Sequence, residues 1–289
     1  MKILVIGGTR FFGIHLVNAL LAKGHQVTVA TRGLAQDPFG DRVERIAMDH
    51  LDAQSVYDAL HHRTFDVVYD QIMYCTNVLR HVMAAVNCKR FICTSSNAVY
   101  DPVHENTREE DFDPLSGTVE WHDRPERTYA DGKRDVERAL AQCYADRGWV
   151  AVRFPYVIGE DDYTQRLFFY VEHALKGTPM HIDNLDCPMG FVRSDEAGQF
   201  LAYLADVDFS GAVNGCNGGA VALGEILSHV EKRTGRSAVI SPDGEPAPYN
   251  GQRAYTINTE RAAALGFHFT PVRSWIFELI DHFIRTLDE

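Results

Sequence analysis

Several features of metal-binding, disulfide-linked and membrane proteins are missing from this sequence. None of its six cysteines forms a C-x-x-C pair, and no histidine spacing completes a zinc site. The apolar run from Ile3 to Ile6 is too short for a signal-peptide core or a membrane span. We therefore expect reduced, buried thiols, no metal, no membrane partner and a cytoplasmic location.

Positive charge is also scarce. The chain has 28 Lys and Arg residues against 40 Asp and Glu residues, which gives a net charge of −12. Because contacts with nucleic-acid phosphates need a basic surface, this balance argues against a general nucleic-acid binder, but not against a local basic pocket for a nucleotide. A hydrophobic content of 45% in 289 residues is ordinary for a globular enzyme of one large or two small α/β domains.

Short apolar segments alternate along the chain with segments that have apolar residues at helical spacing. Six apolar segments predict buried strands: KILVIGG, QVTVAT, RVERIAM, FDVVYD, KRFICTSS and WVAVRFPYVIG. Helices are predicted between them, as in FFGIHLVNALLAKGH, which has a stop signal at Gly24. The alternation predicts an α/β fold, a Rossmann-type doubly wound parallel sheet with helices on both faces.

The pattern loosens beyond about residue 160, where helices are predicted near 164–175, 194–206, 222–234 and 272–286. We expect residues 1–160 to form a dinucleotide-binding domain and residues 161–289 a smaller C-terminal α/β substrate domain. The segment GAVNGC at 211–216 is a candidate strand for return to the main sheet. The polar stretch 101–127, which contains three prolines, predicts a functional or mobile loop.

A glycine-rich loop, GGTRFFG, follows the first predicted strand and opens the first helix. In that place Gly7 lets the chain turn, Gly8 lets the backbone approach a pyrophosphate, and Gly13 lets the helix pack against the sheet. The helix N-terminus supplies N–H groups for the phosphates. The predicted cofactor-binding residues of this loop are Gly7, Gly8, Thr9, Arg10, Phe11, Phe12 and Gly13, and the alternative is a plain tight turn.

The end of the second strand bears on which dinucleotide would bind. An NAD site usually has an acid there for the ribose 2′-hydroxyl, but this sequence has Thr31 and Arg32, and Arg10 replaces the middle glycine of the loop. Arginines favour a 2′-phosphate, so NADP is preferred over NAD. The alternative is that both arginines are solvated loop charges. Asp49 is a candidate acceptor for the adenine amino group, or else an acid at a helix N-terminus.

The segment YADGK contains Tyr129 and Lys133, four residues apart and so on one helix face. A tyrosine and a lysine at this spacing also occur by chance, so the motifs elsewhere in the chain must show whether the pair is catalytic. In order along the chain stand GGTRFFG (7–13), TSSNAVY (94–100), YADGK (129–133), RFPYVIG (153–159) and GFVRSDEAGQFL (190–201). These motifs resemble the short-chain dehydrogenase/reductase superfamily, and most closely its extended or atypical NAD-dependent epimerase/dehydratase branch.

The resemblance implies a catalytic triad of Ser96, Tyr129 and Lys133. Tyr129 would act as general acid/base, its pKa lowered by the lysine ammonium and by a nicotinamide ring. Ser96 would bind the same substrate oxygen, and Lys133 would also hold the nicotinamide ribose. The alternative is a surface Tyr/Lys pair on a member of the family that has lost activity.

The sequence departs from the family in informative places. Asn97 and Ala98 stand where sugar-nucleotide 4,6-dehydratases have an Asp-Glu pair, and Gln71 and Ile72 replace small residues beside the nicotinamide. Met189 is near the position of an arginine that grips the diphosphate in nucleotide-sugar epimerases. The candidate substrate residues are therefore Asn97, Arg166 and Arg193.

Together these features predict an NADP-preferring oxidoreductase that transfers hydride at a hydroxyl or carbonyl carbon of a sugar nucleotide or similar small molecule. One alternative is a nucleotide-sugar epimerase with retained NAD. Another is a non-catalytic, nucleotide-sensing or RNA-associated member of the family. The resemblance further implies a homodimer through the helices that flank the sheet.

Overall fold

The computed structural model describes residues 1–288 and is built around a seven-stranded parallel sheet. The strands of this sheet are β1 (Lys2–Ile6), β2 (Gln26–Thr31), β3 (Glu44–Ala47), β4 (Thr64–Asp70), β5 (Asn87–Ser96), β6 (Trp149–Phe154) and β11 (Gly211–Asn214). Their spatial order is β11-β6-β5-β4-β1-β2-β3, and every neighbouring pair is parallel. This arrangement confirms the predicted fold class.

Helices cover both faces of the sheet, because its central strands are apolar on both sides. One face packs against α2 (Ala53–Leu60), α3 (Thr76–Ala85) and α4 (Tyr129–Cys143). The other packs against α1 (Phe12–Ala22), α6 (Ser194–Leu204) and α8 (Glu260–Ala264). In β1 the last four residues are buried, as a strand between two helical layers requires.

The predicted return of a C-terminal strand to the main sheet is confirmed. β11 pairs with β6, with Gly211 opposite Val150 and Asn214 opposite Arg153. Helix α6 also joins the sheet layers, and its Gly198 lies so close to α1 that a Cβ there would be 2.5 Å from the Cβ of His15. Both elements come after residue 160 in the sequence but pack with the elements that come before it. The domain boundary at residue 160 stays a prediction.

The remaining elements form a second hydrophobic core beside the sheet. Its helices are α5 (Arg166–Lys176), α7 (Leu223–Thr234) and α9 (Ile276–Asp288). Short strands complete it: β7 (Tyr156–Ile158), β8 (Met180–His181), β9 (Pro188–Met189), β10 (Phe191–Arg193), β12 (Val221–Ala222) and β13 (Glu245–Pro246). None of the described helices is long and apolar enough to cross a membrane.

Candidate active site

The three predicted catalytic residues meet at the carboxyl edge of the sheet. Ser96 ends β5, while Tyr129 opens α4 and places Lys133 one turn further along. The Thr128 side chain caps α4 by accepting from the Asp131 N–H. Gly132 lets this helix approach the segment after β4, because a Cβ there would be 2.6 Å from the backbone oxygen of Tyr74.

Burial raises the pKa of Tyr129. This effect outweighs the lowering effects of a hydrogen bond from the Ser96 side chain and of the positive charges of Arg166 and Arg124. Tyr129 is 53% exposed as a residue, and it lines the cavity described below. The protein groups alone therefore do not lower the pKa of Tyr129 as the sequence led us to expect.

Lys133 is buried beneath Tyr129. Its ammonium donates to the backbone carbonyls of Met73, at 2.8 Å, and Thr94, at 2.6 Å. Burial lowers the pKa of Lys133. The Nζ atom lies 5.7 Å from the centroid of the Tyr129 ring, so its charge is close to the phenol without being hydrogen-bonded to it.

Ser96 and Tyr129 open into a cavity of about 650 Å³. Its walls include Tyr156 and Tyr255, whose rings stack at 4.7 Å, and two cationic side chains, Arg166 and Arg253. The guanidinium of Arg166 lies 5.5 Å from the Tyr156 ring centroid. The cavity therefore combines hydroxyls, aromatic faces and positive charge, which suits a polar substrate that carries an anionic group.

The glycine loop has the backbone geometry that its sequence requires. Gly7 and Gly8 have φ values of +88° and +83°, which favour glycine. A Cβ at Gly8 would be 2.7 Å from the Val5 side chain, and one at Gly13 would be 2.7 Å from the Gly8 Cα. Gly13 thus lets the start of α1 approach the Gly8 backbone, while α1 itself packs against one face of the sheet.

The aromatic residues of the loop point in different directions. Phe11 has a φ of 52° and is buried, and its ring meets Tyr163 edge-on at 5.9 Å. Phe12 meets Phe154 of β6 at the same centroid distance of 5.9 Å. Through these contacts the loop joins β6 to the segment before α5, while Thr9 is half-buried at its tip.

The residues predicted to choose the dinucleotide lie at the exposed end of this site. Arg10 and Arg32 are exposed, and neither guanidinium has a hydrogen-bond or ion-pair partner among residues 1–287. The Thr31 hydroxyl accepts from the Gly33 N–H at 3.2 Å. The Asp49 carboxylate is exposed and accepts from the Leu51 N–H at 3.0 Å, which leaves acceptor capacity on that carboxylate. The preference for NADP over NAD stays a prediction.

The three candidate substrate residues have different positions. Arg166 lines the cavity with Ser96 and Tyr129. Asn97 is fully buried, and its side-chain oxygen accepts from the Tyr255 hydroxyl at 2.7 Å, so it supports the cavity wall from behind. Arg193 lines a separate cavity, where it pairs with Asp195 at 2.5 Å. In this structure only Arg166 of the three faces the predicted catalytic hydroxyls.

A buried ionic network beside the triad was not foreseen from the sequence. Arg153 and Glu137 are fully buried and paired at 2.6 Å, and Arg153 also donates to the Tyr100 hydroxyl at 3.0 Å. Glu137 accepts from Ser95, the neighbour of Ser96. The available signal was an arginine inside the apolar strand WVAVRF, since a buried charge needs a partner. The network ties β6, α4 and the loop after β5 together.

Comparison with known proteins identifies the relatives of this chain. Residues 3–206 match the family model described as the NAD dependent epimerase/dehydratase family. A 202-residue stretch is 29% identical to the chloroplast stem-loop binding protein of 41 kDa b from Arabidopsis thaliana, over 63% of this chain and 49% of that protein. A 72-residue stretch is 38% identical to a 3-diazoavenalumate denitrifying reductase from Streptomyces, over 25% and 23% of the two chains. The matches span about half or less of these curated relatives.

Solved structures share the fold over nearly the whole chain. A putative epimerase from Burkholderia cenocepacia superposes with a TM-score of 0.76 at 20% identity, covering 98% of both chains. The UDP-glucose 4-epimerase of Thermus thermophilus, solved with NAD, has a TM-score of 0.71 at 22% identity over 98% of this chain and 99% of its own. At these identities the likeness supports the fold and leaves substrate and cofactor open.

Proposed function

Because this chain belongs to the NAD dependent epimerase/dehydratase family, a family of enzymes, we propose that it is an NADP-preferring oxidoreductase. It transfers hydride at a hydroxyl or carbonyl carbon of a small anionic substrate, such as a sugar nucleotide. The observation that carries the proposal is that Ser96 and Tyr129 open into the same cavity as Arg166 and Arg253. Acid/base groups and an anion-binding wall are thus within one space of about 650 Å³.

The reacting oxygen of the substrate lies against the two hydroxyls. Ser96 donates a hydrogen bond to that oxygen, and Tyr129 gives or takes its proton as the carbon changes between alcohol and carbonyl. A bound nicotinamide supplies the hydride chemistry. The raised pKa of Tyr129 keeps the phenol protonated at neutral pH, which suits proton donation during carbonyl reduction.

The glycine loop and the N-terminus of α1 bind the pyrophosphate of the dinucleotide, and Asp49 accepts from the adenine amino group. Arg10 and Arg32 bind a 2′-phosphate. Both guanidinium groups lack a protein partner among residues 1–287 and so are available for charge-assisted hydrogen bonds. Lys133 supports the nicotinamide ribose in this proposal.

The substrate's anionic group lies against Arg166 and Arg253 at the cavity wall. The diphosphate-binding arginine of nucleotide-sugar epimerases has no counterpart at Met189, which is fully buried. Arginines from α5 and from the loop before α8 supply the positive charge from another direction. Carboxylates and phosphates both suit this pair, because guanidinium groups bind either through two parallel hydrogen bonds.

Ligand-dependent thermal stability tests the proposal. Protein freed of nucleotide is melted with NADP(H) and with NAD(H), and a ligand at a hundred times its Kd adds about 2.7 kcal/mol. A larger shift with NADP(H), followed by oxidation of NADPH with a carbonyl substrate, supports the reductase. The absence of a shift with either dinucleotide would contradict it.

A nucleotide-sugar epimerase with retained NAD is the second candidate. It is favoured by similar solved structures of complexes with NAD together with UDP-glucose or UDP-glucuronic acid. The same hydroxyls would serve it, because epimerisation removes and returns a hydride at one carbon. Tightly bound NAD in the purified protein, without net oxidation of added NADPH, would favour this candidate over the reductase.

An RNA-associated role is the third candidate. Its support is the Arabidopsis relative, whose name describes a stem-loop binding protein. The net charge of −12 weighs against it, since RNA phosphates need basic partners. A Tyr129→Phe variant that kept full biological activity would favour a non-catalytic role.

A further inference from the structure

Tyr74 lies beside the candidate active site but has no role in the sequence motifs or in the proposed chemistry. It lies in the segment between β4 and α3, half-buried. The Lys133 ammonium is 4.4 Å from its ring centroid, and the Arg124 guanidinium is 4.3 Å from it. The Tyr129 ring is 5.9 Å away. A phenol ring therefore contacts two cations next to the predicted acid/base.

The surrounding structure holds Tyr74 in this place. Gly132 allows α4 to approach the Tyr74 carbonyl, where any larger residue would collide. The loop that carries Arg124 is tied to the start of α3, because the Thr76 hydroxyl donates to the Glu120 carbonyl at 2.7 Å and the Asn77 N–H donates to the His122 carbonyl at 3.1 Å. The close approach at Gly132 and these two hydrogen bonds hold the segments that carry Tyr74, Lys133 and Arg124 against one another.

Lys133 needs such a contact because its ammonium is buried without an ion-pair partner. Two of its N–H groups donate to backbone carbonyls, and no carboxylate lies within ion-pair distance among the residues that the structure describes. Burial disfavours its charged form, and the titratable groups around it are Tyr74, Cys93 of β5, Asp70 of β4 and Glu137 of α4. Of these groups, Tyr74 has its aromatic ring against the ammonium, with the ring centroid 4.4 Å from Nζ.

We propose that Tyr74 is a positioning residue whose ring face binds the Lys133 ammonium and keeps it charged beneath Tyr129. An ammonium over a desolvated aromatic face is attracted by the negative face of the ring, and this attraction replaces hydration that Lys133 has lost. Any effect of Tyr74 on catalysis rests on the proposed function. Its effect on the charge of Lys133 is independent of that function, because only groups of the protein are involved.

The experiment measures the pKa of Lys133 directly. Lysine labelled with ¹³C at the ε carbon is incorporated into the full chain, which has six lysines, and Lys133→Met identifies the resonance. Position 74 is then varied as Tyr, Phe, fluorinated Phe of increasing fluorine content, and Leu. Fluorine weakens the negative ring face with little change of shape, so the series separates electrostatics from packing.

We expect Tyr74→Phe to leave the pKa of Lys133 within about 0.3 unit, because the ring face remains. Trifluorophenylalanine and Tyr74→Leu are expected to lower this pKa by about one unit or more, a tenfold change in the ratio of ammonium to amine. The same series at Tyr163, which meets Phe11 and not Lys133, is the matched control and is expected to cause no change.

An unchanged pKa across the fluorinated series would overturn the proposal, and so would an equal fall for Phe and trifluorophenylalanine. If Tyr74→Leu does not fold, the fluorinated variants decide the question, because they preserve the shape of the ring. Failure of the proposed function would appear separately, as absent dinucleotide binding in a protein whose Lys133 still titrates as expected.

Discussion

At the scale of single residues, the proposed chemistry depends on Tyr129, whose pKa is shifted in opposite directions by different parts of its surroundings. Burial raises the pKa of Tyr129, and the hydrogen bond from Ser96 lowers it. The result is a phenol that stays protonated through neutral pH and loses its proton only under alkaline conditions. Reduction, which needs a proton donor, should therefore hold through neutral pH and fall as the pH rises through the pKa of Tyr129.

Tyr129→Phe removes the proposed acid/base and is expected to lower kcat by about a hundredfold to ten-thousandfold. Dinucleotide affinity, measured by fluorescence titration, should change little. Ser96→Ala removes a hydrogen bond that lowers the pKa of Tyr129, so the alkaline limb of the pH–rate profile should move to higher pH. A limb that stayed in place or moved down would contradict this assignment of the titrating group.

Arg32→Ala tests the choice of dinucleotide. A hydrogen bond to a charged group contributes about 1.5–3 kcal/mol, so NADP affinity should fall by roughly ten- to a hundredfold. Affinity for NAD, which lacks the 2′-phosphate, is the internal control and should change less than about twofold. Equal losses for both dinucleotides, measured by calorimetric titration, would show that Arg32 does not recognise the 2′-phosphate.

At the scale of elements, a buried ion pair connects α4, which carries Tyr129 and Lys133, to the sheet. Arg153 of β6 and Glu137 of α4 are both fully buried, and Arg153 also donates to the backbone carbonyls of Glu109 and Phe112. The pair thereby holds α4 and the loop after β5 against one strand. We expect this ion pair to hold Ser96 and Tyr129 in fixed positions relative to each other.

Arg153→Met leaves Glu137 charged and unpaired, and we expect it to lower the free energy of unfolding by about 3–5 kcal/mol. Adding Glu137→Leu should recover part of this loss, since the unpaired charge is gone. The exposed pair of Arg63 and Glu44 is the control, where Arg63→Met should cost less than about 1 kcal/mol. Urea unfolding measures all of these variants, and a small loss for Arg153→Met would refute the connecting role.

At the scale of the whole molecule, local and overall charge differ in sign. The chain carries a net charge of −12, while its cavity wall and the ends of β1 and β2 present arginines. A small anion can reach these arginines, whereas a long polyanion would also meet the acidic surface. The homodimer implied by the family resemblance stays a prediction at this scale.

We therefore expect no binding of a generic RNA stem-loop tighter than about 100 μM at physiological salt, the weak limit of non-specific binding. Fluorescence anisotropy with a labelled stem-loop measures this, and added NADP serves as a competitor. Tight RNA binding that NADP displaces would favour the RNA-associated candidate over the reductase.

Much of the fold could be predicted because its signals are local. Apolar runs that end in glycine and helical spacing placed β1, α1 and the later strands of the parallel sheet, and GAVNGC was correctly expected to return to it. The positions of Arg193 and Asn97 could not be predicted in this way. Arg193 faces another cavity and Asn97 is held behind the wall by Tyr255, and both outcomes depend on contacts with residues far away in sequence.

The sequence by itself determined the order of strands and helices, the family, and the presence of a serine, a tyrosine and a lysine at the spacing the family uses. It could do so because backbone turns, helical periodicity and short motifs depend on neighbouring residues. Only the tertiary structure decided the direction of the Tyr129 pKa, the contact of Tyr74 with Lys133 and the pairing of Arg153 with Glu137. Burial, charge and hydrogen bonding act between residues that only the folded chain brings together.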